Sequence, residues 1–400
     1  MEEDVGEDPE MPFGGDGPFT VLGIETSCDD TGAAVVRSDG TILGEALASQ
    51  QDIHEKWGGV VPGLAREAHV NEIDRIVAAA LAQAGMASAA QVDAVAVTVG
   101  PGLEICLRVG CEKAKALALE HAKPFVAVHH LEAHVMLARA GLGAEEGLAP
   151  PAFPFLALLV SGGHCQLLLC EGVGRFSILG GTVDDALGEA FDKVARLLGL
   201  PTGGGGGPAV ERCARAGDPR AYPLPIPMVH KKDMNFSYAG LKNSFRMTVE
   251  RARAELALSA DAPLPDGAVA DLAASFQHAA ITHLEQRVRR AVAHCHARGV
   301  RTLAVVGGVA ANAQVRARLG ALCAAAGERD GEGGGAWRMV VPPARLCTDN
   351  GVMVAWSAVE RLRCGVSNAA AGQEVYARVP LGPQIAAEAS GSGGGGSSPK

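Results

Sequence analysis

The stretch FTVLGIETSCDDTGAAVVR, residues 19–37, predicts the fold of this chain. Its two apolar runs are typical of buried strands, and a short polar turn separates them. The stretch FLALLVSGGHCQLLLCEG, residues 155–172, repeats this order of strand, small-residue turn and strand. Each copy is followed by a further strand that ends in a glycine break, within 92–102 and within 302–319. Two copies of one arrangement indicate an α/β protein with two related lobes around a cleft.

The two glycine breaks fall where the predicted strands end, at GPG (100–102) and in VVGGVAAN (305–312). In open α/β sheets, ligands bind at the carboxyl ends of the strands. A chance recurrence of strand, glycine and helix in an ordinary α/β protein would leave the same pattern. The repeat alone does not decide between these two explanations.

The composition excludes few classes of function. Of the 400 residues, 48% are hydrophobic, which is enough for a large core, and 4% are aromatic. The net charge of −10 is unevenly distributed, because residues 1–18 hold seven acidic and no basic residues. The rest of the chain is close to neutral. An acidic average therefore does not exclude a nucleic acid bound by a local basic patch.

The cysteines and the chain termini bear on the compartment. Ten cysteines are scattered without a CxxC pair, which favours a reducing compartment over a disulfide scaffold or a cysteine zinc ribbon. No apolar run approaches the ~20 residues that span a membrane. The acidic N-terminus lacks the basic start of a signal peptide and the Arg-rich character of a transit peptide.

Gly-rich and charged stretches predict the limits of the ordered units. We predict an acidic disordered tail (1–18), an N-terminal lobe (19–150), a C-terminal lobe (151–370) and a low-complexity tail (371–400). We expect part of the last helix to pack back on the N-terminal lobe. GERDGEGGGA, 327–336, is predicted to be a flexible loop between two ordered elements.

The stretch VHHLEAHV, 128–135, is the strongest indication of a metal site. On a helix, His130 and His134 are four residues apart and project from one face, where they can share a metal ion. A metalloprotease of the HExxH type needs glutamate directly after the first histidine. Glu132 comes one position late, turned by roughly 100°, so we do not expect a protease. A coincidental polar helix face is the alternative.

Several glycine, asparagine and aspartate positions are candidates for ligand contacts. SGGH (161–164) and GGGGGP (203–208) would expose backbone amides to an anion, unless they are an ordinary turn and a linker. Asn312 would contact a nucleobase or ribose, unless it only caps a helix. Asp349 precedes the apolar run VMVAWSAVERL, so a capping role would also explain it.

The stretch HKKDMNFSYAGLKNSFR, 230–246, interleaves cations with Phe236, Tyr238 and Phe245. This combination suits RNA phosphates and unstacked bases. A solvated loop and helix face is the more frequent explanation of such a run.

Nine motifs stand in one order between about residues 20 and 365, and together they resemble one known family. They are VLGIETSCDDT, GPGL…LRVG, HHLEAH, LLVSGGH, DDALGEAFDK, GGPAVE, FSYAGLK, GGVAAN and CTDNGVMVAW. This series resembles the TsaD-like proteins, formerly named O-sialoglycoprotein endopeptidases. GPGLEICLRVG and LCTDNGVMVAW are most similar to the mitochondrial form of plants and algae.

The resemblance implies a fold and an activity. The fold would be that of the actin and sugar-kinase superfamily, with two duplicated ribonuclease-H-like lobes around a central cleft. The activity would transfer a threonylcarbamoyl group from threonylcarbamoyl-adenylate to the exocyclic amine of the adenine 3′ of the anticodon, in tRNAs that read codons beginning with A. An ATP-dependent small-molecule kinase of the same superfamily and a non-catalytic nucleotide-binding scaffold are the alternatives.

The resemblance also implies site residues, a cofactor and partners. One divalent metal ion per subunit, zinc or iron, would be held by His130, His134 and Asp349. We expect Asp29 to position the substrate or to accept the proton of the amine. By the same resemblance the chain would act on tRNA as a homodimer, like mitochondrial relatives, or with accessory subunits, like bacterial ones. Its compartment would be a mitochondrion, with a plastid or a bacterial cytoplasm as alternatives. The substrate contacts would fall on Leu159, Val160, Ser161, Gly162, Gly163, Asp192, Gly207, Glu211 and Asn312.

The chain departs from the family at the glycine loop. Relatives have a sequence close to YPGGP, whereas this chain has the longer LPTGGGGGP before its predicted helix. The placement of Gly207 in the site depends on the path of this loop.

Overall fold

The computed structural model describes residues 13, 17–142, 149–202, 205–259, 262–328 and 336–385. The strands are β1 Thr20–Glu25, β2 Asp30–Arg37, β3 Ile42–Ser49, β4 Ala94–Gly100, β5 Phe125–His129, β6 Phe155–Val160, β7 Cys165–Gly172, β8 Arg175–Gly181, β9 Thr302–Val306 and β10 Arg338–Val340. The α-helices are α1 Gln51–Glu55, α2 Pro62–Gln83, α3 Glu104–Glu120, α4 His130–Leu137, α5 Leu187–Leu197, α6 Gly206–Ala214, α7 Ala239–Glu255, α8 Asp266–His296, α9 Ala313–Glu328 and α10 Gly351–Arg363.

The strands form two five-stranded sheets with the same topology. Their orders are β3-β2-β1-β4-β5 and β8-β7-β6-β9-β10. In each sheet the first three strands of the chain pair antiparallel, and the last two join in parallel. Each strand of the first sheet therefore has a counterpart in the second. The predicted α/β fold with two duplicated lobes is confirmed, and chance recurrence is excluded.

The central strands are apolar along their whole length because both faces of each sheet are covered. Strand β4 is buried at all seven positions and β6 at all six. Helices α2 and α3 cover the outer face of the first sheet, and residues of α5 to α9 form a large core with the second. Covered sheets of this kind show continuous apolar runs instead of an alternation of apolar and polar residues.

Helices α4 and α10 lie between the two sheets. Their side chains share one core with Val126 of the first sheet and with Leu159 and Val306 of the second. Helix α10 is buried from Gly351 to Glu360, and it contacts β1, β2 and α4. A helix that is apolar on all sides must be enclosed by protein, and this environment accounts for the run GVMVAW.

Two glycines allow α10 to approach the first sheet closely. A Cβ atom on Gly23 of β1 would lie 2.3 Å from the backbone nitrogen of Ala355, and one on Gly351 would lie 2.4 Å from the carbonyl carbon of Ala33. In both cases the neighbouring atom is backbone, which cannot rotate away. The contact between helix and sheet therefore depends on the absence of these side chains.

We expect Gly23→Ala to lower the free energy of unfolding by about 1–3 kcal/mol, because overpacking forces the backbone of α10 away from β1. Urea denaturation measures the change. Gly63→Ala is the matched control, since a Cβ atom there meets nothing within 4 Å and alanine favours the helix. Equal stability of the two variants would contradict the proposed close packing.

Some predicted segments fall outside the described residues. They include nearly all of the 1–18 tail, most of 327–336, Gly203 and Gly204, and the end of the 371–400 tail. The predicted division into lobes at residue 150 stays a prediction. In the described part of the chain, no helix combines the length and the apolar character needed to cross a membrane.

Candidate metal centre and substrate cleft

The histidines are positioned by the end of a strand. Strands β1, β4 and β5 are parallel neighbours, so their carboxyl ends lie at one edge of the first sheet. Helix α4 begins directly after β5, and all eight of its residues are buried. His129 caps this helix, because its Nδ1 accepts the backbone N–H of Leu131 at 3.2 Å. Its other ring nitrogen bonds the carbonyl oxygen of Val379, so both ring nitrogens of His129 are engaged with the backbone.

His130, His134 and Asp349 converge at this edge. One potential ligand atom from each residue lies within 4.8 Å of the other two. The Nε2 atoms of His134 and His130 lie 3.0 and 3.7 Å from Asp349 Oδ1. The rings are almost completely buried, whereas the Asp349 side chain is 24% exposed. Two imidazole nitrogens therefore face one carboxylate that is partly exposed.

Asp349 does not cap helix α10, so the capping alternative is wrong. The N-cap is Asn350, whose Oδ1 accepts the backbone N–H of Met353 at 2.9 Å. The Asn350 amide also donates to the carbonyl oxygens of Leu346 and Thr348. Because Asn350 provides the N-terminal cap of α10, the Asp349 carboxylate is free to face the histidines.

The electrostatics of the cluster favour a cation. Burial opposes a positive charge on His130, but Asp349 and Glu25 outweigh it and raise the pKa of His130 to about 9. Burial likewise opposes a charge on Asp349, but His130 and His134 hold the pKa of this carboxyl well below its usual range. Metal binding requires neutral imidazoles, so a metal ion would compete with the proton on His130.

The donor set fits a catalytic metal ion. Two imidazole nitrogens and one carboxylate oxygen are a common set of protein ligands for zinc, with further positions left open. Two histidines and a carboxylate also form the facial triad that binds iron. His164 lies beside the cluster, with its ring centroid 6.2 Å from that of His130. Burial and the neighbouring histidines lower the pKa of His164 to about 4.

Glu132 links helix α4 to its neighbours through an ion pair and a hydrogen bond. Its side chain is 1% exposed and forms an ion pair with Arg361 of α10. It also accepts the backbone N–H of Gly174 at 3.2 Å, in the turn between β7 and β8. The carboxylate thus joins α4 to α10 and to the second sheet. This pairing agrees with the expectation that the chain is not an HExxH protease.

Two of the predicted site residues, Asp29 and Asp192, line one cleft of about 400 Å³. Asp29 directly precedes β2 and Asp192 lies on α5, and Asp30, Gly205 and Gly206 line the same cleft. Asp192 Oδ1 accepts the backbone N–H of Gly206 at 3.0 Å. Burial raises the pKa of Asp192. Gly207 follows in the first turn of α6.

The SGGH segment is a tight turn between β6 and β7. Leu159 and Val160 end β6 and are fully buried. The Ser161 hydroxyl accepts the backbone N–H of His164 at 3.1 Å, which closes the turn. Gly162 and Gly163 are exposed, and a Cβ atom on either would meet nothing within 4 Å. The two glycines therefore leave open space beside the turn.

Asn312 and Glu211 bind the start of helix α9. Asn312 Oδ1 accepts the backbone N–H of Val315 at 3.0 Å, and its amide nitrogen donates to Gln277 Oε1 at 3.1 Å. Glu211 accepts the backbone N–H of Ala313 at 3.0 Å and lines a cavity of about 290 Å³ with Gln277. The structure therefore shows the capping role for Asn312, while its contact with a nucleotide stays a prediction.

The aromatic residues of the 230–246 stretch do not reach RNA. Phe236, Tyr238 and Phe245 are completely buried in the core of the second lobe. Base stacking by these three residues is therefore wrong as an interpretation, and so is a solvated face for them. Lys231 and Lys232 are exposed, as a solvated segment predicts. The spacing of cations and aromatics along the chain does not indicate which side chains face the core.

Two residues near the candidate metal centre were not predicted from the sequence. Glu25, at the end of β1, lies 3.4 Å from His130 Nδ1, and His164 lies on the opposite turn. Both occur in motifs already recognised, ETSCDD and SGGH. Glu25 ends a strand and His164 lies in the turn after one, and ligands of α/β sheets bind at such strand ends.

Comparisons with known proteins show which family the chain resembles. The family model for "TsaD: tRNA N6-adenosine threonylcarbamoyltransferase" matches residues 41–356. A tRNA N6-adenosine threonylcarbamoyltransferase of Rhodospirillum rubrum is 48% identical over 385 residues, 94% of this chain and 98% of that protein. The mitochondrial protein of that name from Xenopus tropicalis is 44% identical over 92% of this chain and 89% of its own.

A solved structure supports the fold alone. The crystal structure of HypF from T. kodakarensis superposes with a TM-score of 0.54 at 15% sequence identity. The match covers 89% of this chain and 49% of that one.

Proposed function

The chain belongs to the TsaD family of tRNA N6-adenosine threonylcarbamoyltransferases, and from this membership we propose the reaction, the donor and the residues that act. The enzyme transfers the threonylcarbamoyl group of threonylcarbamoyl-adenylate to the N6 amine of the adenine 3′ of the anticodon. Its substrates are tRNAs that read codons beginning with A. The convergence of His130, His134 and Asp349 is the observation that carries the proposal.

His130, His134 and Asp349 would hold one zinc or iron ion. Bound there, the ion supplies Lewis-acid polarisation of the carbamoyl carbonyl or a hold on the phosphate. The protein itself contributes the buried walls that keep the two rings in place. The exposed side of Asp349 gives the substrate access to the centre.

The cleft residues position the adenylate and the amine. The turn formed by Ser161, Gly162 and Gly163 leaves space for the adenylate. Asp192, Gly207 and Glu211 would contact it. Backbone amides of the glycine loop would stabilise negative charge that develops on the acyl oxygen. Asp29 lines the cleft and would accept the proton that the amine loses.

We expect Asp29→Asn to lower the rate of transfer by about 10²–10⁴-fold, the usual contribution of a general base. Single-turnover formation of modified adenosine measures the rate. Asp52→Asn, at an exposed position of nearby α1, is the control and should leave the rate unchanged. An undiminished rate in Asp29→Asn would remove Asp29 from the reaction.

Reconstitution tests the function as a whole. Purified protein, threonylcarbamoyl-adenylate and a tRNA with adenine 3′ of its anticodon should yield threonylcarbamoyladenosine, identified by mass spectrometry of the digested tRNA. The same tRNA with guanine at that position is the control. Turnover of ATP on a small molecule without tRNA modification would instead support a kinase.

The assembly and compartment are part of the proposal. We expect a homodimer in a mitochondrion, since relatives named as mitochondrial occur in Xenopus tropicalis and Arabidopsis thaliana. Bacterial relatives are equally similar, so a plastid and a bacterial cytoplasm are the alternatives. Light scattering of the purified chain tests the dimer, and localisation of the tagged chain in its own cells tests the compartment.

A further inference from the structure

Glu25 is a fully buried carboxylate without a lysine or arginine partner among the described residues. It stands at the carboxyl end of β1 and has no solvent exposure. Within the described chain, its ion-pair contact is the ring of His130. Removing a carboxylate from water costs several kcal/mol unless hydrogen bonds and an opposite charge compensate. Because burial of this carboxylate is unfavourable, we looked for a role of Glu25 other than packing.

Two hydrogen bonds hold the Glu25 carboxylate in place. Oε1 accepts the backbone N–H of Ser27 at 2.6 Å, and Oε2 accepts the hydroxyl hydrogen of Thr98. Thr98 lies on β4, the parallel neighbour of β1, and is itself fully buried. The segment that follows β1 and the neighbouring strand β4 therefore fix the carboxylate independently of His130.

The held carboxylate faces the ring nitrogen that points away from Asp349. Glu25 Oε2 lies 3.4 Å from His130 Nδ1, while His130 Nε2 lies 3.7 Å from Asp349 Oδ1. An ionised carboxylate only accepts hydrogen bonds, so it favours the tautomer with hydrogen on Nδ1. In that tautomer the Nε2 lone pair is free for a metal ion, and a carboxylate behind a ligating histidine is a recurrent arrangement in metal sites.

We propose that Glu25 is a positioning residue that keeps the proton of His130 on Nδ1 and directs the Nε2 lone pair toward a divalent cation. The inference rests on the metal centre of the proposed function. It assigns the buried acid of the ETSCDD motif to the metal centre and leaves Asp29 to the cleft. Glu25 acts through His130 and does not touch the substrate.

Ser27 offers the competing arrangement. Its hydroxyl oxygen lies 3.2 Å from the same His130 Nδ1. If this hydroxyl donates to Nδ1, the ring hydrogen moves to Nε2, the nitrogen that must be free. The carboxylate of Glu25 opposes that tautomer, because its oxygen would then face a lone pair. Ser27→Ala is therefore expected to leave metal affinity within about threefold of the unmutated chain.

The test measures Zn²⁺ affinity without tRNA or adenylate. The full chain is stripped with a chelator and titrated with Zn²⁺ against a chromophoric competitor. Glu25→Gln is nearly isosteric, but its amide group can donate to Nδ1 and thus favours hydrogen on Nε2. We expect Zn²⁺ to bind this variant about 10–100-fold more weakly, the usual loss when such an outer partner of a ligand is removed.

Thr26→Val is the matched control for damage to this strand end. Thr26 is the next residue and is fully buried, with hydrogen bonds to the carbonyl oxygen of Cys106 and the N–H of Gly110. We expect this variant to lose stability but to keep its Zn²⁺ affinity. If Glu25→Gln does not fold, Glu25→Asp retains the charge on a shorter arm and is expected to bind Zn²⁺ at least tenfold more weakly.

The outcomes separate the inference from the proposed function. If Glu25→Gln binds Zn²⁺ as tightly as the unmutated chain while His130→Ala does not bind it, the positioning role is overturned and the metal centre stands. If Thr26→Val weakens binding as much as Glu25→Gln, the effect is general loosening, and the role is again overturned. If the unmutated chain itself binds no Zn²⁺, the metal centre and this inference fall together.

Discussion

Replacement of His130 and His134 together by alanine is expected to lower threonylcarbamoyl transfer by at least about a thousandfold. The two rings supply two of the three side chains that converge on one point. Lewis-acid assistance contributes several kcal/mol to such reactions, and about 1.4 kcal/mol corresponds to a factor of ten in rate. Single-turnover assays with saturating threonylcarbamoyl-adenylate measure the loss directly.

The control for this double variant is His121→Ala, which removes a half-buried histidine at the end of α3, near the amino end of β5 and so away from the histidine cluster. We expect its rate to equal that of the unmutated chain. Metal content, measured on the same preparations, should fall only in the double variant. A double variant that retains its full rate would refute the metal-dependent mechanism and favour a role for the histidines in packing.

Loss of the buried ion pair between helices α4 and α10 has the largest expected effect on stability. Glu132→Ala should lower the free energy of unfolding by about 3–5 kcal/mol, because it leaves a positive charge on Arg361 without its partner. The Arg361 side chain is only 18% exposed, so water cannot fully replace the carboxylate. Urea denaturation of the metal-free chain measures the change.

An exposed pair provides the comparison. Glu104 and Arg108, on the first turns of α3, are about half exposed, so Glu104→Ala should cost at most about 0.5 kcal/mol. The double variant Glu132→Met and Arg361→Met should recover most of the loss, since no buried charge is left alone. A cost below about 1 kcal/mol for Glu132→Ala would show that the pair is unimportant for stability.

The duplication of the fold was predictable because it depends on local patterns. Buried strands are apolar runs, and turns between them need glycine or polar residues, so both repeats were visible along the chain. The order of strands in each sheet was not visible. Strand β4 reaches its place beside β1 only after α2, and this pairing depends on contacts between residues distant in sequence.

The site was predictable to a smaller extent. The spacing of His130 and His134 placed them on one helix face, and the family resemblance added Asp349, for which the local pattern by itself offered only a cap. The structure assigns the cap to Asn350. The contact between Glu25 and His130 joins residues 105 positions apart, and no local pattern predicts it. Burial of Phe236 and Tyr238 likewise depends on which face of their segment meets the core.

The sequence by itself determined the two α/β repeats, the two-histidine helix face and, through the order of nine motifs, the family. These properties follow from short-range periodicity and from the order of motifs along the chain. Only the tertiary structure decided that Glu132 pairs with Arg361 and that Glu25 stands behind His130. The physical reason is that each of these contacts joins side chains from different elements, and their directions are set by the packing of helices α4 and α10 between the sheets.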